Sequence, residues 1–125
     1  MPRRATLVPL GETEMEVLRH VWNTGDATVA DVHTAIQRDR PVAYTTVMTV
    51  MKNLHDKGYL ARHRDGRQDR YSAARSADAV QTGLLRGFLG HVFGGSPAAL
   101  VRTLVGDEQI SDDEKAELRR LLDRL

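Results

Sequence analysis

A chain of 125 residues, 28% charged and 41% hydrophobic, is one typical domain or a small domain with an appendage, and its net charge of +1 argues against a histone-like polycation. The absence of cysteine excludes disulfides, thiolate metal clusters and cysteine nucleophiles, and fits an intracellular protein. The near-neutral total hides an asymmetry: residues 1–75 hold 12 Lys/Arg against 9 Asp/Glu, whereas residues 76–125 hold 6 against 8, so positive charge is localised.

The opening Met1-Pro2-Arg3-Arg4-Ala5-Thr6 has the charge of a signal peptide's start but no long apolar run behind it, and no segment approaches the ~20 apolar residues that span a bilayer. The expectation is a soluble, cytoplasmic protein without membrane insertion. Residues 1–10 read as a loose arm ending in Pro9-Leu10. From Glu12, the spacing of Met15, Val17, Leu18, Val21 and Trp22 predicts a first amphipathic helix, with Glu12, Glu14 and Glu16 at its dipole-favoured start and Asn23-Thr24-Gly25 at its stop. Ala27-Thr28-Val29 is long enough only for one strand-like turn. Ala30 to Arg38 predict a second helix with Val32, Ala35 and Ile36 inward, ended by Arg40-Pro41.

Residues 43–58 carry the most information. On a helix, Val47, Val50, Met51 and Leu54 share an apolar face, while Thr45, Thr46, Thr49, Lys52, Asn53 and Asp56 occupy the other side. Threonine is a poor helix former, and three in the first turns suggest a role other than helix stability. Short hydroxyl side chains let a helix lie close to base edges and touch a thymine methyl. An N-cap threonine followed by an ordinary solvated face is the plainer alternative.

After Gly58, a C-cap, the runs Tyr59-Leu60-Ala61-Arg62-His63-Arg64 and Arg67-Gln68-Asp69-Arg70-Tyr71-Ser72-Ala73 flank Asp65-Gly66, a strong hairpin signal. Leu60 and Tyr71 are expected to point inward, with Arg62, Arg64, Arg67 and Arg70 on the tip and its flanks. From Lys57 to Arg75 there are six Lys/Arg against two acids, a basic ribbon suited to a phosphate backbone. Helix, short strand, helix, helix and hairpin make a winged helix-turn-helix, whose third helix reads the major groove.

The remainder differs in kind. Ser76 opens a helix that gathers Val80, Leu84, Leu85, Phe88, Leu89, Val92 and Phe93 despite Gly83, Gly87 and Gly90. Gly94-Gly95-Ser96-Pro97 breaks it, and Pro97 starts a helix with Leu100, Val101, Leu104 and Val105 that ends at Gly106. Ser111-Asp112-Asp113-Glu114 is a capping box for a last helix with Leu118, Leu121, Leu122 and Leu125. Three short helices this apolar need a partner surface, and a symmetric homodimer is the economical one. Packing of these helices on the first domain is the alternative, and the Phe88, Val92 and Phe93 region is also a candidate lining for a small-ligand pocket. The fold class is therefore mainly α: a winged-helix DNA-binding domain over residues 1–75 with a small β-hairpin wing, and a three-helix dimerisation region over 76–125. The dimer set is Leu84, Leu85, Phe88, Leu89, Val92, Phe93, Leu100, Val101, Leu104, Leu118, Leu121 and Leu122.

Residue by residue, Thr45, Thr46 and Thr49 are expected to face the groove and, with Asn53, to read bases, although the late position of Asn53 also suits a phosphate. Lys52, Arg62, Arg64 and Arg67 are expected on the DNA backbone. Tyr44 either bonds a phosphate or caps the core. An enzyme has no visible machinery here: His20, His33, His55, His63 and His91 form no metal-ligand spacing, and Ser72, Ser76, Ser96 and Ser111 lack a nucleophile-elbow context. No cofactor or metal is expected. A winged helix used only as a protein-interaction module is the other rival; it predicts a weakly basic wing and an apolar third helix, and early elution from heparin.

The order of motifs resembles the BlaI/MecI/CopY family of bacterial transcriptional repressors from Leu10 to the C-terminus. The similarity rests on Glu14-Met15-Glu16-Val17-Leu18 with Val21-Trp22, Thr28-Val29-Ala30-Asp31-Val32-His33, Ala43-Tyr44-Thr45-Thr46-Val47-Met48-Thr49, Lys57-Gly58-Tyr59-Leu60, and Gly66-Arg67 before Tyr71. Ala43-Tyr44-Thr45-Thr46-Val47 is the most specific part. The resemblance implies a dimeric repressor on double-stranded operator DNA of dyad symmetry, which in well-known members controls β-lactam resistance and is released when a membrane-bound sensor protease pathway leads to cleavage in the dimerisation domain. Two departures stand out. The cysteine-rich metal site of copper-responsive members is absent, and the place of the Asn-Phe cleavage bond reads Thr103-Leu104.

Overall fold

The computed structural model describes residues 10–125, so the expected arm lies, up to Pro9, outside the described residues; Leu10 packs against the core. The elements follow as α1 (Glu12–Thr24), β1 (Asp26–Ala27), α2 (Val29–Gln37), α3 (Tyr44–Asp56), β2 (Leu60–Asp65), β3 (Gln68–Ala73), α4 (Ala77–Val92), α5 (Pro97–Gly106) and α6 (Asp112–Asp123). The strands form one antiparallel sheet in the order β1-β3-β2. Among the described residues no helix is long and apolar enough to cross a membrane.

The chain divides into two compact units, one ending at Leu84 and the other covering Leu85–Leu125. The division falls inside α4 rather than before it, as composition had suggested, because the first half of α4 turns Val80 and Leu84 onto the core of the first unit. That core holds Val17, Leu18 and Val21 from α1, Val32 and Ile36 from α2, Val47, Met51 and Leu54 from α3, and Tyr59, Leu60 and Tyr71 around the hairpin. The helix residues are spaced by three or four, Leu60 and Tyr71 are inward strand positions and Tyr59 lies in the turn before β2; full burial of such a side chain stabilises by roughly 1.5–3 kcal/mol before entropy is counted.

Polar contacts fix how the helices meet. Thr28 caps α2, its hydroxyl accepting from the Asp31 amide at 3.1 Å while the Asp31 carboxylate accepts from the Thr28 amide at 3.0 Å. The turn into α3 is gripped at Val42: its amide donates to Gln37 Oε1 at 3.0 Å, and its carbonyl accepts from His33 Nε2 at 2.9 Å. At the far end of α3, Lys57 Nζ donates to both carboxylate oxygens of Glu14, at 2.9 and 2.7 Å. Burial pushes the Glu14 carboxyl up, but hydrogen bonds from Lys57 and from the Gly11 amide, with the Lys57 charge, outweigh it and leave Glu14 below its ordinary value. Gly58 then leaves the helix at φ +87, a conformation open to glycine at little cost.

In the hairpin Asp65 pairs with Gln68, so the two-residue loop is Gly66-Arg67, one residue later than the Asp-Gly signal by itself suggests. Gly66 takes φ +65 and no described non-glycine residue has positive φ, which is the pattern of a type II′ turn with glycine first. Leu60 and Tyr71 are buried as expected, but every other residue of β2 is exposed, because the hairpin projects beyond the core.

In the second unit, Ser96 and Ser111 cap α5 and α6, accepting from Ala99 and Glu114 amides at 3.1 Å each. The Ser111 backbone and side chain hold Glu114 below its ordinary value in return. Neither α5 nor α6 contains a buried residue.

Candidate nucleic-acid interface

At about 100° per residue, the buried Val47, Met51 and Leu54 centre one side of α3, and Thr45, Thr49, Lys52 and Asp56 lie opposite. All four are exposed, as is Asn53 beside them. Thr46 is exposed too, but lies further round, towards half-buried Val50. On the other flank are Tyr44 and Met48. Tyr44 begins the helix and sets its ring edge-on to His33 at 5.6 Å, leaving it 47% exposed.

The wing supplies cations of two kinds. Arg67 sits in the turn itself and is exposed. Arg64, across the ladder from Asp69, lies 3.3 Å from that carboxylate with its side chain 67% exposed, a loose surface pair of small worth. Arg62 faces Tyr71 across the ladder, and the Tyr71 hydroxyl is the main cause that holds its guanidinium above its ordinary value.

Arg70 departs from the expectation of four displayed arginines. It is bound to Asp26, lies 3.9 Å from Asp65 and 4.0 Å from Asp31, and serves the fold. Lys57, counted in the same basic ribbon, is likewise taken by Glu14, and Arg75 lies over the Tyr59 ring at 5.4 Å. The positive surface left for a partner is therefore narrower than the sequence count: Arg62, Arg64 and Arg67 on the wing, with Arg64 loosely paired to Asp69, and Lys52 on α3.

α3 and the wing come together. A concavity of about 240 Å³ is lined by Tyr44 and Met48 of α3, Arg67 and Asp69 of the wing, and Thr28 and Ala30 at the start of α2. Sequence reasoning left out Met48 and the start of α2. Met48 lies at the margin of the apolar stripe, where periodicity assigns it to neither side, and the α2 contribution depends on tertiary placement. Among the described residues no group of three His, Asp or Glu side chains is arranged to hold a metal ion.

The second unit holds the remaining site residues. Leu85, Phe88, Val92, Leu121 and Leu122 are exposed, and Leu89, Phe93, Leu100, Val101, Leu104 and Leu118 are half-buried. Leu84 belongs with the first unit, packed on its core. Phe88 and Phe93 meet edge-on at 5.8 Å. At Gly87 and Gly90 a Cβ would meet no atom of the chain within 4 Å, so neither glycine serves a close approach within it. The Thr103-Leu104 bond lies within α5, where the Thr103 hydroxyl donates to the Ala99 carbonyl at 3.0 Å.

Comparison with known proteins agrees with this geometry. A family model described as penicillinase repressor matches residues 10–124. Transcriptional regulator BlaI of Mycobacterium tuberculosis (strain H37Rv) is 38% identical over 124 residues, covering 97% of this chain and 88% of that protein. Methicillin resistance regulatory protein MecI of Mammaliicoccus sciuri is 26% identical over 115 residues, covering 92% and 94%. In fold, the solution structure of the DNA-binding domain of the repressor BlaI superposes with a TM-score of 0.53 at 20% identity, over 59% of this chain and 90% of that one. The chain belongs to the penicillinase repressor family, the BlaI/MecI group of winged-helix transcriptional regulators.

Proposed function

We propose that this protein is a sequence-specific repressor that binds double-stranded operator DNA of dyad symmetry as a homodimer. In this reading Thr45, Thr49 and Thr46, with Asn53, read base edges from α3, while Lys52, Arg62, Arg64 and Arg67 hold phosphates and set the register. The observation that carries it is the concavity shared by α3 and the wing, with Tyr44 and Met48 on one wall and the Arg67 cation on the other, beside the exposed threonines on the outer side of α3. A solution structure of Bacillus licheniformis BlaI in complex with the blaP half-operator, similar in fold at TM-score 0.50 and 21% identity, supports this use of the architecture. The relatives' names, a methicillin resistance regulator and a penicillinase repressor, support antibiotic-resistance genes as the controlled set.

Dimerisation is assigned to the second unit, whose α5 and α6 contain no fully buried residue. The regulatory part of the proposal is narrower. Release through a membrane-bound sensor protease pathway would require cutting at Thr103-Leu104, and that bond is helical, so α5 must unwind before a protease can take it in extended form.

A titration of the purified protein against its own upstream intergenic DNA and a scrambled duplex of equal length, at two salt concentrations, tests the reading. Tight binding confined to its own DNA, with protection of a dyad, is expected. Equal, salt-sensitive binding to both duplexes would reduce the activity to electrostatic affinity and overturn the operator.

A further inference from the structure

Among the described residues up to Leu84, just two large apolar side chains are exposed: Tyr44 at 47% and Met48 at 46%. They stand one turn apart on α3, on the flank that lines the concavity facing Arg67. A single exposed methionine requires no explanation. Two such side chains together, beside the threonines of the outer side and opposed by Arg67, with Asp69 of the same lining loosely paired to Arg64, make an apolar strip next to the basic wing.

The composition of α3 narrows what this strip can recognise. The helix contains no arginine or glutamine, so it lacks the guanidinium fork that pairs with guanine and the longer amide that pairs with adenine. Lys52 and Asn53 lie in its second half. Its first half offers hydroxyls and carbon: the Tyr44 ring, the Thr45 and Thr49 methyls, and the Met48 thioether. In the major groove the thymine 5-methyl is the apolar feature of a base edge that such a surface complements. An unbranched, polarizable methionine adapts well to it.

The geometry points to Met48, flanked by Tyr44, as a specificity-determining residue that reads a thymine methyl in each operator half-site. This rests on the operator-binding function proposed above. Removing one methyl-sized apolar contact is worth about 0.8 kcal/mol, or about fourfold in affinity per half-site and about fifteenfold when both half-sites of a dimer are changed.

The test selects duplexes from a random pool with the full-length protein. Each thymine of the selected duplex is then replaced by deoxyuridine, which removes only the 5-methyl, and binding is measured for the wild type and for Met48→Ala. Because Met48 is exposed, the variant should fold, and its unfolding midpoint checks this. One symmetry-related thymine position is expected to show the fourfold to fifteenfold loss with wild type and none with Met48→Ala. If a sequence is selected but all deoxyuridine duplexes bind alike, or the loss persists undiminished in Met48→Ala, the methyl-reading role is overturned and operator binding stands. If no sequence is selected, both fall together.

Discussion

Arg70 donates from both Nε and Nη2 to a single carboxylate oxygen of Asp26, at 2.9 and 2.7 Å, and so ties the returning strand of the wing to β1. The Arg70 hydrogen bond holds the Asp26 carboxyl below its ordinary 3.8, despite a desolvation cost, with the Arg70 and His63 charges adding to it. Its stabilising effect is therefore complete above the unfolded-state value and is lost as pH falls through the lower folded-state value. As pH falls below the ordinary carboxylate range, Asp26→Asn should lose less stability than the wild type. A pH profile of the unfolding midpoint, recorded for both proteins, checks the sign.

The two classes of interface residue separate by substitution. Thr49→Ala or Thr46→Ala should change which operator base pairs are preferred, by up to about 1–3 kcal/mol at the position read. An unchanged preference in both variants would remove the threonines from base reading. Lys52→Ala and Arg67→Ala should instead weaken binding to all duplexes alike and each reduce the salt slope by about one per half-site, or about two for a dimer on a full operator. Arg70→Gln, by contrast, should lower the unfolding midpoint and leave the salt slope close to that of the wild type.

Leu54 is fully buried on α3, so Leu54→Ala should cost about 2–5 kcal/mol through lost transfer energy and the cavity left behind. Urea unfolding followed by circular dichroism would measure it. A cost under about 1 kcal/mol would mean that the core beneath α3 is far looser than the burial of Leu54 indicates.

Leu121 and Leu122 leave about half their surface in water. Leu122→Glu should convert a dimer to monomers in sedimentation velocity and weaken full-operator binding at least tenfold, while affinity for an isolated half-site stays within about twofold. Persistence of the dimer would place the interface elsewhere on the second unit.

Much of this was legible in the sequence because it is local. Helix positions followed from apolar spacing, and Ser111, Pro97 and Gly58 marked ends with the chemistry that helix termini require. What stayed hidden depends on residues distant in the chain. Lys57 and Arg70 look like display cations until their partners are seen, 43 and 44 residues away, at Glu14 and Asp26. That Val80 and Leu84 join the first unit's core was not legible, because they resemble the apolar residues that follow them and sequence does not say which core an apolar residue joins. The loop register required the positive φ at Gly66 to be located.

The grip on Val42 has a thermodynamic consequence. With its amide held by Gln37 and its carbonyl by His33, the start of α3 has its orientation fixed before any duplex arrives. With that ordering entropy met during folding, association is expected to behave as docking of a preorganised surface. Its heat-capacity change should accordingly match the apolar area of the interface, with no added contribution from coupled folding.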